Sequence, residues 1–292
     1  MQLGIGLPTY LGNLVGPGDL LDWARRAEAA GFHAVSVHDR PLSDTWEPLV
    51  TLAAVAAVTE RIRLATTAVI LPTRDEALLV KQAAVVDAVS GGRLDLGVGV
   101  GARADDFELF GRPFAGRGRT FERQLERMAA LWRDAVGTAA TGSAMGPAPA
   151  RRPRPRLWVG GYAPAAAGRA IRFGDGYIFG APGLATMARR TPEIKAAAAA
   201  AGRPDFPVAG LAYVLASTDR AETDEAERLL TRYYRTLAKP FGELVAVGDD
   251  EVLRATIAGY RAAGLDLLHL IPVSRSADQV ERLARIALAG GG

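Results

Sequence analysis

The chain has 292 residues, of which 49% are hydrophobic, and 35 Lys and Arg stand against 32 Asp and Glu for a formal net charge of +3. That balance excludes a small stapled scaffold and a disordered chain, and it supplies apolar material for a large core. Cysteine is absent, which excludes disulfides, thiolate nucleophiles and cysteine-held zinc or iron–sulfur groups.

The first strand candidate is residues 3–8 (LGIGLP). After it Leu20, Trp23, Ala24 and Ala27 share one helical face, closed by Gly31 at the C′ position. Residues 33–38 (HAVSVH) form the second strand and WEPLVTLAAVAAVTE its helix. Residues 63–71 (RLATTAVIL) read as one continuous third strand. Thr73-Arg74-Asp75-Glu76 then reads as a capping box opening a helix to about Ser90. The fourth strand is residues 93–99 (RLDLGVG), followed by helical sequence from about Asp105 to Asp134. Residues 135–155, rich in Gly, Ala and Pro, lack periodicity and are expected to form a flexible insertion. Strands resume at residues 156–160, 176–180, 207–216 and 265–273, and the last helix opens at Ser276-x-x-Gln279.

Eight strands alternating with helices indicate an α/β fold, a (β/α)8 TIM barrel with an insertion after the central helix, in one domain over residues 1–292. An open doubly wound sheet is the alternative. In a barrel, chemistry belongs at the C-terminal strand ends.

Three histidines, His33, His38 and His269, lack metal-ligand spacing, so no protein-built metal site is expected. No basic segment precedes an apolar run at the start, and no run nears the roughly 20 residues that span a bilayer. A cytoplasmic protein without membrane contact is expected. The basic run 151–156 (RRPRPR) contains no aromatic residue for base stacking, so it reads as a solvated linker and nucleic acid is not an expected partner.

Gly99 to Ala104 matches a loose G-x-G-x-x-A pattern, but the second parallel strand and acidic residue of a dinucleotide fold do not follow. Two readings remain for Gly99, Gly101, Ala102 and Arg103: an anion contact by backbone N–H groups and a guanidinium, or a tight turn. Gly160-Gly161-Tyr162-Ala163-Pro164 leads a strand into a helix, and its free N–H groups form an anion site or a structural turn. His38-Asp39-Arg40 ends the second strand, as an ion-paired loop or as catalytic groups. Thr66 and Thr67 offer hydroxyls to a ring edge or pack within the strand. No Ser nucleophile elbow is present, and helix-dipole stabilisation accounts for Asp105 and Asp106.

With these residues assembled, the chain resembles the luciferase-like monooxygenase family, and within it the deazaflavin (coenzyme F-420)-dependent oxidoreductase branch. The resemblance rests on GIGLP, GFHAVSVHDR, PLVTLAAVAAVTERIRLATTAVILP, KQAAVVDAVSGGRLDLGVGVG, ALWRDAV and RPRLWVGGYAPAAAGRAIRFGDGYIFG. It implies a barrel holding reduced FMN or coenzyme F-420 at its C-terminal mouth, with hydride transfer to or from a small organic substrate, or its oxygenation. Family members often have a non-prolyl cis peptide behind the ring, which maps near Thr66, Thr67 and Ala68. Cofactor phosphate contacts would fall on Gly99 to Arg103 and on Gly160, Gly161, Tyr162 and Ala163. Asp39 matches a family aspartate near the ring. His38, Asp39 and Arg40 would then be catalytic, with Tyr10 and Trp46 as pocket walls. Sugar-phosphate dehydrogenases of the family have a histidine and a glutamate where Arg40 and Ala102 stand, so their acid–base mechanism does not transfer. A homodimer and a separate flavin or deazaflavin reductase are the partners this resemblance admits. A non-catalytic flavin-binding barrel is the alternative function.

Overall fold

Short, nearly continuous runs of buried residues, alternating with amphipathic helices, dictate a parallel sheet covered by helices. The structure is a computed structural model that describes residues 1–134, 146–235, 237 and 239–288. Ten strands are present: β1 (Gln2–Gly6), β2 (Ala34–Val37), β3 (Arg63–Thr66), β4 (Val69–Ile70), β5 (Leu94–Gly99), β6 (Arg156–Gly160), β7 (Gly176–Ile178), β8 (Val208–Ala216), β9 (Val245–Gly248) and β10 (Leu267–Pro272). Eight close a ring in the order β1, β2, β3, β5, β6, β7, β8, β10, with β10 returning to β1, and every pairing is parallel. This is a (β/α)8 barrel; the open-sheet alternative falls because β10 pairs both β8 and β1.

The eight expected strands are all present, with two additions. The third is not continuous: it breaks at Thr67–Ala68, whose peptide bond is cis, and β4 re-joins β5 further along. Strand β9 lies parallel to the upper half of β8.

Around the ring run α1 (Pro17–Ala29), α2 (Pro48–Ala56), α3 (Glu76–Val89), α4 (Ala104–Leu109), α5 (Arg117–Asp134), α6 (Ala165–Phe173), α7 (Leu184–Ala200), α8 (Arg220–Tyr234), α9 (Phe241–Leu244), α10 (Asp250–Ala262) and α11 (Asp278–Ala287). The expected single helix from Asp105 to Asp134 is two, because Gly111 and Gly116 adopt positive φ and Pro113 lacks an N–H between them. Helix α3 is capped by Asp75, which accepts from Leu78 N–H at 2.9 Å, while Thr73 donates to the Ile70 carbonyl at 2.8 Å and forms no capping box. Helix α11 begins at Asp278, and Gln279 is spent on the Ala216 backbone, accepting from its N–H at 2.9 Å. Of the expected insertion, residues 135–145 lie outside the described residues, and 146–155 contain no helix or strand. Nor is RRPRPR simply solvated: Arg154 pairs with Asp175, and Arg156 lies 3.7 Å from Asp95. Among the described residues no helix is long and apolar enough to cross a membrane.

The register sets what fills the barrel. Gly4 lies opposite His269 and Gly97 opposite Trp158, which in turn faces Gly176. A Cβ on Gly4 would come within 2.5 Å of His269 Nδ1, and one on Gly176 within 2.5 Å of the Trp158 ring. Gly4 and Gly176 thus make room for the two large interior side chains, the small-against-large pairing that close packing demands. At the N-terminal end of the strands, Asp95 (side chain 1% exposed) accepts from Arg63 Nε and Nη2, both at 2.7 Å. These charges plug that end of the barrel.

Removing Asp95 would leave Arg63 without its counter-charge in a desolvated position. Asp95→Ala is expected to lower the unfolding free energy by about 3 kcal/mol, read from urea unfolding followed by far-UV circular dichroism.

Candidate functional site

At the C-terminal strand ends two cavities adjoin, the first of about 450 Å³ and the second of about 260 Å³. Thr67, Ala68, Gly99, Gly101, Ala102, Tyr162 and Gly180 line both, so they form one shared wall. That wall exists because the third strand breaks at Thr67–Ala68 and because β5 ends in glycine.

The first cavity is walled by small residues. Gly160 and Gly161 end β6, and a Cβ on Gly160 would lie 2.6 Å from the Ile178 carbonyl oxygen. Tyr177 donates its hydroxyl to the Gly161 carbonyl, fixing the turn that leads into α6. Gly101 has φ +79°, a conformation that side chains other than glycine rarely adopt, and a Cβ there would strike Ile70 at 2.6 Å. Ala163 also lines this cavity, as do two cations that the motifs did not single out, Arg117 and Arg169. Arg117 donates to the Gly101 carbonyl at 3.1 Å, and Arg169 bonds Glu122 at 3.2 Å.

The second cavity holds His38, Asp39 and Arg103, with Leu211, Tyr213, Tyr233 and Tyr234. His38 is buried, and neither ring nitrogen has a hydrogen-bond partner among the described residues. Burial pushes its pKa down to about 4, so the imidazole is neutral at pH 7. The Tyr213 ring lies nearly parallel to it, centroids 6.3 Å apart, and the Tyr213 and Tyr234 hydroxyls bond at 2.9 Å. Asp39 is engaged differently. Its carboxylate accepts from Arg74 at 3.0 Å and from Ile70 N–H at 2.8 Å. Burial raises the Asp39 carboxyl above its ordinary value, and Arg74 works against that.

The other expected site residues stand behind these walls. Arg40, 3% exposed, lines neither cavity; it donates to the Tyr233 carbonyl and lies 3.7 Å from Asp105. Tyr10 donates its hydroxyl to the Pro272 carbonyl at 2.6 Å, its ring edge-on to His38 at 6.0 Å. Trp46 Nε1 donates to the Gly12 carbonyl at 3.1 Å, and Thr66 donates to the Gly97 carbonyl at 2.7 Å. None of these three lines either cavity.

The tyrosines were missed by the motif reading. Tyr213 was recoverable, since it shares inward parity along β8 with Ala209 and Leu211. Tyr233 and Tyr234 were not, because they reach the mouth from the C-terminal end of α8 rather than from a strand.

His269, buried in the barrel interior, is likewise pushed down, to about 3, first by burial and then by His33 and His38. The unfolded chain takes these protons near pH 6.5, whereas the folded chain refuses them until about 4 at His38 and about 3 at His269. Unfolding therefore takes up protons in that window, and stability falls as pH is lowered, by up to about 1.4 kcal/mol per pH unit for each histidine. Urea midpoints at pH 7 and pH 5 are expected to show this loss, with His38→Gln removing about half of it.

A family model described as luciferase-like monooxygenase matches residues 1–290. An uncharacterized protein of Mycobacterium tuberculosis is 33% identical over 193 residues, 54% of this chain and 63% of that protein. The match thus spans less than two thirds of that relative's length. Among solved structures, a monooxygenase from Streptomyces bottropensis is similar at TM-score 0.83 and 24% identity over 100% of both chains. A coenzyme F-420-dependent secondary alcohol dehydrogenase, in complex with a coenzyme–acetone adduct, is similar at TM-score 0.79 and 18% identity, covering 99% of this chain and 98% of that one. At these identities the structural likeness concerns the fold.

Proposed function

The chain belongs to the luciferase-like monooxygenase family, and we propose that it is an oxidoreductase holding a phosphate-bearing flavin or deazaflavin ring in the first cavity and a small organic substrate in the second. The observation that carries this reading is the shared wall: a planar group lying against Thr67, Ala68 and Gly99 is open to a molecule beside His38.

The residues fit such a group. About 450 Å³ falls within the roughly 300–1,000 Å³ of cofactor-sized pockets. The glycine walls let backbone approach closely, and the turn from Gly160 to Ala163 presents N–H groups at the start of α6, with Arg117 and Arg169 adding positive charge for a phosphate. When bound and reduced, the ring supplies hydride or, as a flavin, oxygen chemistry. The solved dehydrogenase named above is coenzyme F-420-dependent, which supports a deazaflavin, and resemblance to the luciferase-like monooxygenases supports FMN as the other ring type. As a flavin the ring would need a separate reductase to supply its electrons.

The chain's own groups orient the substrate and hold the frame around it. His38, neutral and unpartnered, accepts or donates a hydrogen bond at the substrate's reacting oxygen or nitrogen. Asp39 acts through position: with Arg74 it fixes Ile70 and so the backbone behind Thr67–Ala68. Arg40 holds the end of α8 over the second cavity through the Tyr233 carbonyl. A flavin-binding barrel without turnover is disfavoured, since such a protein has no use for a second cavity with an unpartnered histidine.

Fluorescence titration with FMN and with the deazaflavin coenzyme tests the reading. One of them is expected to bind, and Gly161→Phe to weaken that binding at least tenfold, because a Cβ there already lies 3.1 Å from Ala166; binding of neither removes the assignment. His38→Ala is expected to retain the cofactor and lose about 100-fold in turnover on the first small molecule the loaded enzyme oxidises, reduces or oxygenates. Unchanged turnover would show that His38 has no part in the chemistry.

A further inference from the structure

The two cavities divide their cations unequally. Arg117 and Arg169 line only the first cavity and Arg103 only the second. Arg103 is half-buried at the start of α4, its guanidinium 4.9 Å from the Tyr234 ring centroid and 5.4 Å from that of Tyr233. Among the described residues no carboxylate lies within ion-pair distance of it and no hydrogen bond engages it.

The neighbouring acids are already committed. Asp105 lies 3.7 Å from both Arg40 and Arg235, Asp106 accepts from Leu42 N–H at 3.0 Å, and Asp39 is held by Arg74. Arg103 is also close enough to Arg40 to make its protonated form less favourable, the second cause after burial of that group's lowered pKa. A guanidinium left without a counter-charge beside a second one, in a partly desolvated cavity, is a position that favours an incoming anion. The two tyrosine faces hold it by cation–π contact, which leaves the in-plane N–H groups free for a bidentate partner. A second, independent feature faces the same space: the buried His38 ring with no partner at either nitrogen. The cavity's 260 Å³ lies below the range for drug-sized ligands, so the occupant is small.

We propose that the second cavity binds a small organic carboxylate, its carboxylate paired with Arg103 and the rest of the molecule between His38, Tyr213 and the Thr67–Ala68 wall. This rests on the reading of the first cavity as the cofactor site, and it names the substrate class of the second. It also sets Arg103 apart from the cofactor's phosphate, to which the G-x-G-x-x-A pattern would have assigned it.

Calorimetric titration with benzoate and butyrate, and with benzamide and butyramide as neutral isosteres, tests the inference in both the cofactor-loaded and the cofactor-free protein. At least one acid is expected to bind tenfold or more tightly than its amide. Arg103→Met is expected to erase that preference and Arg103→Lys to restore it in part, while cofactor affinity stays within twofold in both. Acids and amides binding alike, or an acid preference that survives in Arg103→Met, would overturn the inference. So would a loss of cofactor affinity in Arg103→Met, which would return the guanidinium to the cofactor. If the unaltered protein binds neither ring, the cofactor reading fails, and the titrations of the cofactor-free protein still decide the role of Arg103.

Discussion

Eight parallel strands closed on one interior impose a volume constraint: each inward position must accommodate what its neighbours on the adjoining strands put there. The chain meets this differently at the two ends. At the N-terminal strand ends Asp95 and Arg63 fill the interior with matched charge. Midway, Trp158 and His269 occupy space that Gly176 and Gly4 leave vacant, while Gly97 gives way to the Thr66 carbonyl. At the C-terminal ends the inward positions on β5 and β6 are Gly99 and Gly160, with no bulky side chain between them to fill the gap. The opening at the mouth is therefore a consequence of the same register that closes the base, and the cavities need no separate architecture.

A second layer of interactions shapes the mouth. The Asp39 carboxylate binds Arg74 and the Ile70 N–H together, tying the end of β2 to the chain just past the break in the third strand. Asp44 pairs with Arg232, and Arg40 bonds the Tyr233 carbonyl, so the end of α8 is roped to the loop after β2. These contacts explain why Asp39 and Arg40 sit next to His38 in sequence yet differ from it in surroundings. His38 faces the cavity with free nitrogens; the Asp39 carboxylate and one Arg40 Nη are spent on the frame that surrounds it.

The fold was legible in the sequence because short apolar runs and helical period report directly on burial, and all eight barrel strands can be read from the former. What was not legible turned on single residues. The break at Thr67–Ala68 lies inside a β-branched run whose composition does not mark it; only the family resemblance placed a non-prolyl cis peptide near Thr66, Thr67 and Ala68, and the structure has one there. The split between α4 and α5 was signalled by Gly111, Pro113 and Gly116, and helical period on both sides concealed it. SGGR, part of a run that carries the family resemblance, serves the frame: Gly91 and Gly92 make a turn at positive φ and Arg93 caps backbone carbonyls, among them Ala56 at 3.1 Å and Ile62 at 2.9 Å. The glycine-rich strand ends were legible as anion sites, since strand, glycine and helix start occur in order. The tyrosine cluster was not, because α8 delivers two of its members across the top of the barrel.

Charge is handled throughout by pairing it or suppressing it. Burial holds Tyr10, Tyr213 and Tyr233 well above the ordinary phenol range and His38 well below the ordinary imidazole value, so every one of these groups is neutral at pH 7. Buried charges that persist are compensated, as at Asp95 with Arg63 and Asp39 with Arg74. A lysine at position 103 would present a compact, strongly hydrated ammonium that gains little from two ring faces. A guanidinium is less strongly hydrated and can lie over aromatic rings, keeping its edge available. Stacking on Tyr233 and Tyr234 thus lets the mouth of the barrel carry a charge the interior would not tolerate, and keeps it there without the carboxylate that would otherwise occupy its binding edge.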